Sequence, residues 1–103
     1  MEKKLLFLVN PKAGRNKSRG PLFDAVSVLC QAGYLVNVHE TTAAGDAAAT
    51  AAAQGADYDL VVAVGGDGTL NETVSGLMRL EQPPLLGYLP QGSTNDFAAS
   101  LHL

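Results

Sequence analysis

The sequence has little cysteine, no tryptophan and few bases beyond residue 19. The single Cys30 excludes a disulfide within the chain and a cysteine metal cluster, because each needs at least two thiols. No apolar run approaches the ~20 residues of a membrane-spanning helix, and the net charge of −3 argues against general binding of nucleic acid. We therefore expect a cytoplasmic protein, with Cys30 in the core on the apolar face of a helix.

The bases are concentrated at one end, because six of the seven lie in residues 1–19. Lys12, Arg15 and Lys17 fall in a loop that also contains Gly14. Such a segment is either a solvated loop or a cationic loop that faces an anionic ligand, and the sequence leaves both open.

Short apolar segments alternate with helical patterns along the chain. The predicted strands are 4–9, 34–39, 59–64 and 85–89. The predicted helices are 21–31, 46–54, 69–80 and the start of a fourth at 95–101. This order predicts an α/β fold of three layers, α/β/α, with a mostly parallel sheet in the middle.

The polar and glycine-containing loops all follow strands. They are residues 10–18, 41–45, 65–69 and 90–95. In open α/β sheets ligands bind beyond the carboxyl ends of the strands, so we expect these loops to form one site.

A turn with three glycines, at residues 65–72, joins a predicted buried strand to a helix. Glycine lets backbone N–H groups approach a ligand, and a helix N-terminus adds unpaired donors that suit phosphate. The turn matches neither a Walker A loop nor the dinucleotide fingerprint. The carboxylate of Asp67 repels phosphate unless a metal ion, a cation or a transferable proton lies between them. Alternatively, Asp67 caps the helix, or Thr69 caps it and Glu72 completes a capping box.

Three blocks of sequence together resemble the diacylglycerol kinase catalytic domain, and most closely that of bacterial soluble lipid kinases. The blocks are 10–14 (Asn-Pro-Lys-Ala-Gly), 65–72 (Gly-Gly-Asp-Gly-Thr-Leu-Asn-Glu) and 90–98 (Pro-Gln-Gly-Ser-Thr-Asn-Asp-Phe-Ala). The resemblance implies the N-terminal domain fold shared by NAD kinases and diacylglycerol kinases. It also implies transfer of the γ-phosphoryl group of ATP, with Mg²⁺, to a lipid hydroxyl such as that of diacylglycerol.

By resemblance, one set of residues lines the nucleotide site and Asp67 is the candidate catalytic residue, acting through Mg²⁺ or a polar network. For the threonine after the second strand, Thr42 is the alternative to Thr41. The implied nucleotide-binding residues are Asn10, Pro11, Lys12, Ala13, Gly14, Thr41, Gly65, Gly66, Asp67, Gly68, Thr69, Leu70, Asn71 and Ser93.

The family also has a β-rich second domain, which carries the lipid site, the general base and a structural metal site. Residues 1–103 contain no counterpart, so we expect the nucleotide-binding part of a longer lipid kinase, inactive alone. The expected partners are a nucleotide, a lipid and the membrane surface through the absent half, and a second copy through exposed sheet edge. Two alternatives stay open: half of an NAD-kinase-type enzyme, and a non-catalytic nucleotide-binding module.

Overall fold

The computed structural model describes residues 3–10 and 19–90, and this part of the chain alternates strands with helices. The strands are β1 (Lys3–Val9), β2 (Tyr34–Glu40), β3 (Leu60–Gly65) and β4 (Leu85–Pro90). The α-helices are α1 (Arg19–Gln31), α2 (Asp46–Gln54) and α3 (Asp67–Leu77), and a 3₁₀ turn at Gly55–Asp57 follows α2. The four predicted strands and the first three predicted helices are confirmed, while the predicted helix at 95–101 lies outside the described residues.

All four strands are parallel and form one sheet in the order β2-β1-β3-β4. Leu5 of β1 pairs with Val36 on one side and with Leu60 on the other. From β1 the chain continues through α1 to β2, whereas from β3 it continues through α3 to β4, in the opposite direction along the sheet. The carboxyl ends of β1 and β3 therefore mark the switch point at which open α/β sheets bind ligands.

The two central strands are buried because helices cover both faces of the sheet. On one face α1 packs Ala25 and Leu29 against side chains that include Phe7. On the other face Ala51 of α2 and Leu77 of α3 pack against Leu6, Leu8 and Val61. Because β1 and β3 are covered on both faces, every residue along their buried part is apolar. The three layers of helix, sheet and helix confirm the predicted α/β fold class.

Cys30 is exposed, so the expectation of a core thiol is wrong. The buried positions of α1 are Ala25 and Leu29, with Leu22 and Val26 partly buried beside them. Because successive helical residues are about 100° apart around the axis, the residue after Leu29 leaves this narrow stripe. Leu29 faces the sheet and Cys30 faces solvent.

Small residues let α2 and α3 approach each other closely. A Cβ built on Gly76 of α3 would overlap the carbonyl oxygen of Ala48 and lie 2.8 Å from the Cβ of Ala51. The alanine-rich sequence of α2 therefore serves helix packing as well as helix propensity. Within residues 3–10 and 19–90, no helix is long and apolar enough to cross a membrane.

Candidate functional site

A cleft of about 260 Å³ opens at the carboxyl edge of the sheet. It lies between the residue after β1, the loop after β2 and the first turns of α3. This is beside the β1/β3 switch point, as the rule for open α/β sheets predicts. The lining residues are Asn10, Thr41, Thr42, Ala43, Ala44, Ala47, Gly68, Thr69 and Glu72.

Two backbone hydrogen bonds fix the loops of the cleft to the strand ends. The N–H of Asn10 donates to the carbonyl of Val64 at 3.0 Å, which ties the end of β1 to β3. The N–H of Thr41 donates to the carbonyl of Val9 at 2.8 Å, which extends the pairing of β1 with β2 by one residue. Asn10 and Thr41 are therefore placed by the sheet itself.

Among the three glycines of the turn, Gly65 is the one whose backbone conformation requires glycine. Its φ of +149° is a conformation that side-chain-bearing residues rarely adopt. A Cβ there would lie 2.9 Å from Oγ1 of Thr69 and 3.3 Å from Cβ of Asn10. The carbonyl of Gly65 also accepts a hydrogen bond from the hydroxyl of Tyr88 at 3.1 Å.

Gly66 and Gly68 have no such local reason to be glycine. Gly66 is the N-cap of α3 with an ordinary φ of −96°, and Gly68 lies in the first turn of the helix. A Cβ built on either residue would meet no heavy atom within 4 Å. Because no side chain caps α3 and the first N–H groups of a helix lack intrahelical partners, this turn is open to an anion.

Both capping interpretations of the turn are wrong. The helix begins at Asp67, two residues before Thr69, and neither Asp67 nor Thr69 makes a side-chain cap. Thr69 is buried below the first turn. The carboxylate of Glu72 instead reaches across to α2, where it accepts a hydrogen bond from the N–H of Gly45 at 3.1 Å. A local sequence pattern favoured the capping box, whereas a contact between helices positions Glu72.

The structure brings four of the predicted site residues together in the lining of the cleft: Asn10, Thr41, Gly68 and Thr69. Thr42 lines it as well, so both candidate threonines contribute. Gly65, Gly66 and the exposed Asp67 form the turn next to the cleft, while Leu70 and Asn71 follow in α3 outside its lining. The remaining predicted residues lie outside the described part of the chain; they are Pro11, Lys12, Ala13, Gly14 and Ser93.

Sequence reasoning missed a polar network behind the loop at 41–45. The carboxylate of Asp46 accepts hydrogen bonds from the N–H of Thr42 at 2.8 Å and from the hydroxyl of Thr50 at 3.0 Å. Nε2 of His39 lies 3.2 Å from the same carboxylate. The bond from Thr42 lowers the pKa of Asp46 most, with further lowering by His39 and Thr50 against the opposing effect of burial. In the sequence, Thr42, Asp46 and Thr50 are spaced four residues apart, and this spacing could have predicted that their side chains meet.

The cleft combines polar donors with a small apolar wall. Asn10, Thr41 and Thr42 offer an amide and hydroxyls, and Ala43, Ala44 and Ala47 offer methyl groups. No group of three or more His, Cys, Asp or Glu side chains that could hold a metal ion occurs in residues 3–10 and 19–90. The carboxylate of Glu72 is the charged group in this lining, so the cleft offers polar, apolar and acidic contacts side by side.

Comparison with known proteins agrees with the geometry. The family model for the diacylglycerol kinase catalytic domain matches residues 4–103. A diacylglycerol kinase of Bacillus subtilis (strain 168) is 45% identical over 102 residues, covering 96% of this chain and 33% of that protein. One from Staphylococcus epidermidis is 41% identical over 104 residues, covering 100% of this chain and 33% of that protein. The crystal structure of a diacylglycerol kinase from Bacillus anthracis superposes with a TM-score of 0.78 at 36% identity, covering 97% of this chain and 37% of the other.

The parallel sheet, with helices on both faces and a cleft at its carboxyl edge, defines the class, which is an α/β domain of three layers. The chain belongs to the diacylglycerol kinase catalytic domain family. It spans about a third of the length of the relatives that it matches, at 33% of each of the two curated proteins.

Proposed function

We propose that this chain is the nucleotide-binding part of an ATP-dependent lipid kinase, which transfers the γ-phosphoryl group of ATP to the hydroxyl of a diacylglycerol-like lipid. The observation that carries the proposal is the open first turn of α3. Neither the backbone conformation nor the packing within the protein requires glycine at positions 66 and 68, and Gly68 lines the cleft.

The open turn supports phosphate binding on two physical grounds. Backbone N–H groups without intrahelical partners can donate to phosphate oxygens, and the helix dipole places partial positive charge at the same point. Gly66 and Gly68, on either side of Asp67, allow a ligand to approach the backbone within hydrogen-bonding distance. Phosphoryl transfer depends chiefly on positioning and on charge stabilisation, which such a turn provides.

The rest of the cleft supports the remainder of a nucleotide. The hydroxyls of Thr41 and Thr42 can bind polar atoms of the sugar or base, and the methyl groups of Ala43, Ala44 and Ala47 can pack against a ring. Mg²⁺, when bound with ATP, supplies charge neutralisation between phosphate oxygens. Asp67, exposed in the first turn of α3, is the residue that we propose to hold it, since Mg²⁺ needs only one or two carboxylates beside the phosphates.

In this proposal the chain is part of a longer protein. The lipid site and the general base lie in the part that corresponds to the other two thirds of the relatives. The isolated chain is then inactive, and contact with the membrane surface occurs through that other part. We also propose that the protein is cytoplasmic and that the chain self-associates.

One experiment tests binding and the role of Asp67. ATP–Mg²⁺ is titrated calorimetrically into the protein, with Asp67→Ala beside it and Asp57→Ala as the control. Asp57 is exposed and precedes β3, at the opposite edge of the sheet from the cleft. We expect binding by the wild type and by Asp57→Ala, and weaker binding by Asp67→Ala. Absence of binding by the wild type contradicts the proposal, and equal binding by all three removes Asp67 from the nucleotide site.

A second assay tests the reaction. The full-length gene product is offered diacylglycerol and NAD in parallel with labelled ATP, and we expect label in the lipid alone. Label in NAD would instead identify an NAD-kinase-type enzyme, and label in neither would support a non-catalytic module. Lipid phosphorylation by residues 1–103 alone would contradict the proposed inactivity of the isolated chain.

A further inference from the structure

The loop at residues 41–45 forms one wall of the cleft, and four of its five residues line the cavity. The loop consists of small residues that are mostly exposed, so little packing holds it in shape. Its first residue is fixed by the bond from Thr41 to Val9. The conformation of the rest depends on polar contacts with α2 and α3.

Asp46 makes the largest share of these contacts. From the first turn of α2 its carboxylate turns back to the loop and accepts a hydrogen bond from the N–H of Thr42 at 2.8 Å and one from the hydroxyl of Thr42 at 3.3 Å. Its own N–H donates to the carbonyl of Ala43 at 3.1 Å. Asp46 therefore binds the loop through both its side chain and its backbone.

Two further residues orient this carboxylate from behind. Thr50, one helical turn later and 7% exposed, donates from Oγ1 to Oδ1 of Asp46 at 3.0 Å. Nε2 of His39, on β2, lies 3.2 Å from Oδ2. The carboxylate is thus held between a strand, a helix and the loop, which leaves it few alternative rotamers.

We propose that Asp46 is a positioning residue for nucleotide binding, because its carboxylate fixes the loop at 41–45 as a wall of the cleft. The inference depends on the proposed function, since it assigns Asp46 a role in the same site. Asp46 itself is absent from the lining, so it acts through Thr42 and its neighbours.

The charge state of Asp46 agrees with this role. Hydrogen bonds from Thr42, His39 and Thr50 hold the pKa of Asp46 below the ordinary value of 3.8, so the group is a carboxylate at neutral pH. Hydrogen bonds to a charged acceptor are stronger than those between neutral groups. Without the carboxylate, the N–H and the hydroxyl of Thr42 lose their acceptor, and we expect the loop to sample other conformations.

The test compares Asp46→Ala and Asp46→Asn with the control Asp24→Asn in the full-length gene product. Asp24 is an exposed acid on α1, which covers the opposite face of the sheet from α2, and it is absent from the lining of the cleft; Asp24→Asn makes the same change of charge as Asp46→Asn. The measurements are the affinity for ATP–Mg²⁺, the KM values for ATP and lipid, and the melting temperature. We expect Asp46→Ala to weaken ATP binding about tenfold, or about 1.4 kcal/mol, and Asp46→Asn to recover part of the loss. The KM for lipid and all values for Asp24→Asn should stay unchanged.

The outcomes separate this inference from the proposed function. If the wild type does not bind ATP–Mg²⁺, both fail. If the wild type binds and a folded Asp46→Ala binds equally well, the inference alone fails. It also fails if kcat falls while the KM for ATP is unchanged, because a positioning residue for the nucleotide must alter its binding.

A second variant covers the case in which Asp46→Ala does not fold. Thr50→Val removes the hydroxyl that donates to Asp46 and keeps a side chain of similar shape at a buried position. We expect about a threefold loss of ATP affinity, smaller than for Asp46→Ala, because the bond from Thr50 acts on the loop only through Asp46. Unchanged affinity in this variant would overturn the inference.

Discussion

Replacing Gly68 with alanine separates the stability of α3 from the capacity of the cleft to bind phosphate. Gly68 lies within α3, and a Cβ built on it meets no heavy atom within 4 Å. Alanine in a helix is more stable than glycine by about 0.5–1 kcal/mol, and nothing in the fold opposes this gain. The same methyl group would project over the open first turn, where a ligand is expected to approach the backbone. Gly68→Ala should therefore stabilise the protein and weaken its ligand binding.

The assay is thermal unfolding together with titration of ATP–Mg²⁺. For a domain of about 100 residues, 1 kcal/mol corresponds to a rise in Tm of roughly 4 °C. We expect a rise of that size or less in Gly68→Ala, with ATP affinity at least about tenfold lower, which is about 1.4 kcal/mol. Wild-type affinity in a stabilised Gly68→Ala would refute the assignment of this turn to phosphate.

Gly76→Ala is the matched control, because it adds the same methyl group to the same helix. Its Cβ would overlap the carbonyl oxygen of Ala48 and lie 2.8 Å from Cβ of Ala51. Overpacking of this kind typically costs about 1–3 kcal/mol, which exceeds the gain in helix propensity. We expect a lower Tm with normal ATP affinity of the folded protein. If both variants lower Tm, the free space above Gly68 is not as the structure describes it.

Two further predictions concern stability. Gly65→Ala should lose about 1–3 kcal/mol in urea denaturation, because φ is +149° and the new Cβ would lie 2.9 Å from Oγ1 of Thr69; an unchanged midpoint would contradict this. The pKa of Asp46 is lowered from 3.8 in the folded state, so its carboxylate contributes stability that is present above that pH and is lost as pH falls through the folded value. Asp46→Asn should therefore make the free energy of unfolding depend less on pH below about pH 4. If this free energy falls equally with pH in the variant and the wild type, the prediction is wrong.

The α/β order was predictable because local patterns determine it. The apolar runs of β1 and β3 are buried on both faces, and such runs are recognisable without knowledge of their neighbours. The position of the cleft followed from a general rule for parallel sheets, and Asn10, Thr41 and Gly68 do line it. These features depend on chain order and on the period of the apolar residues.

The errors arose where contacts between elements determine the outcome. The sequence spacing of Thr69 and Glu72 suits a capping box, but the carboxylate of Glu72 accepts a hydrogen bond from Gly45, the residue before α2. Cys30 fits an apolar stripe, but α1 packs against the sheet along Ala25 and Leu29, with Leu22 and Val26 beside them, and Cys30 is exposed. Neither the angle at which a helix meets a sheet nor the reach of a side chain between helices is contained in a local pattern.

The contact between Glu72 and Gly45 also affects how the proposed nucleotide would lie in the cleft. The first turns of both α2 and α3 border the cleft, and each would attract an anion. At α2 the N–H of Gly45 already donates to the carboxylate of Glu72, and Asp46 adds a second negative charge in the first turn. At α3 the first turn also holds an acid, the exposed Asp67, but no side chain caps the helix, and Gly66 and Gly68 leave its backbone accessible. We therefore expect the phosphate groups of the proposed nucleotide at α3, where the Mg²⁺ that we propose Asp67 to hold would offset its negative charge. The remainder of the molecule would then lie along the loop that Asp46 holds.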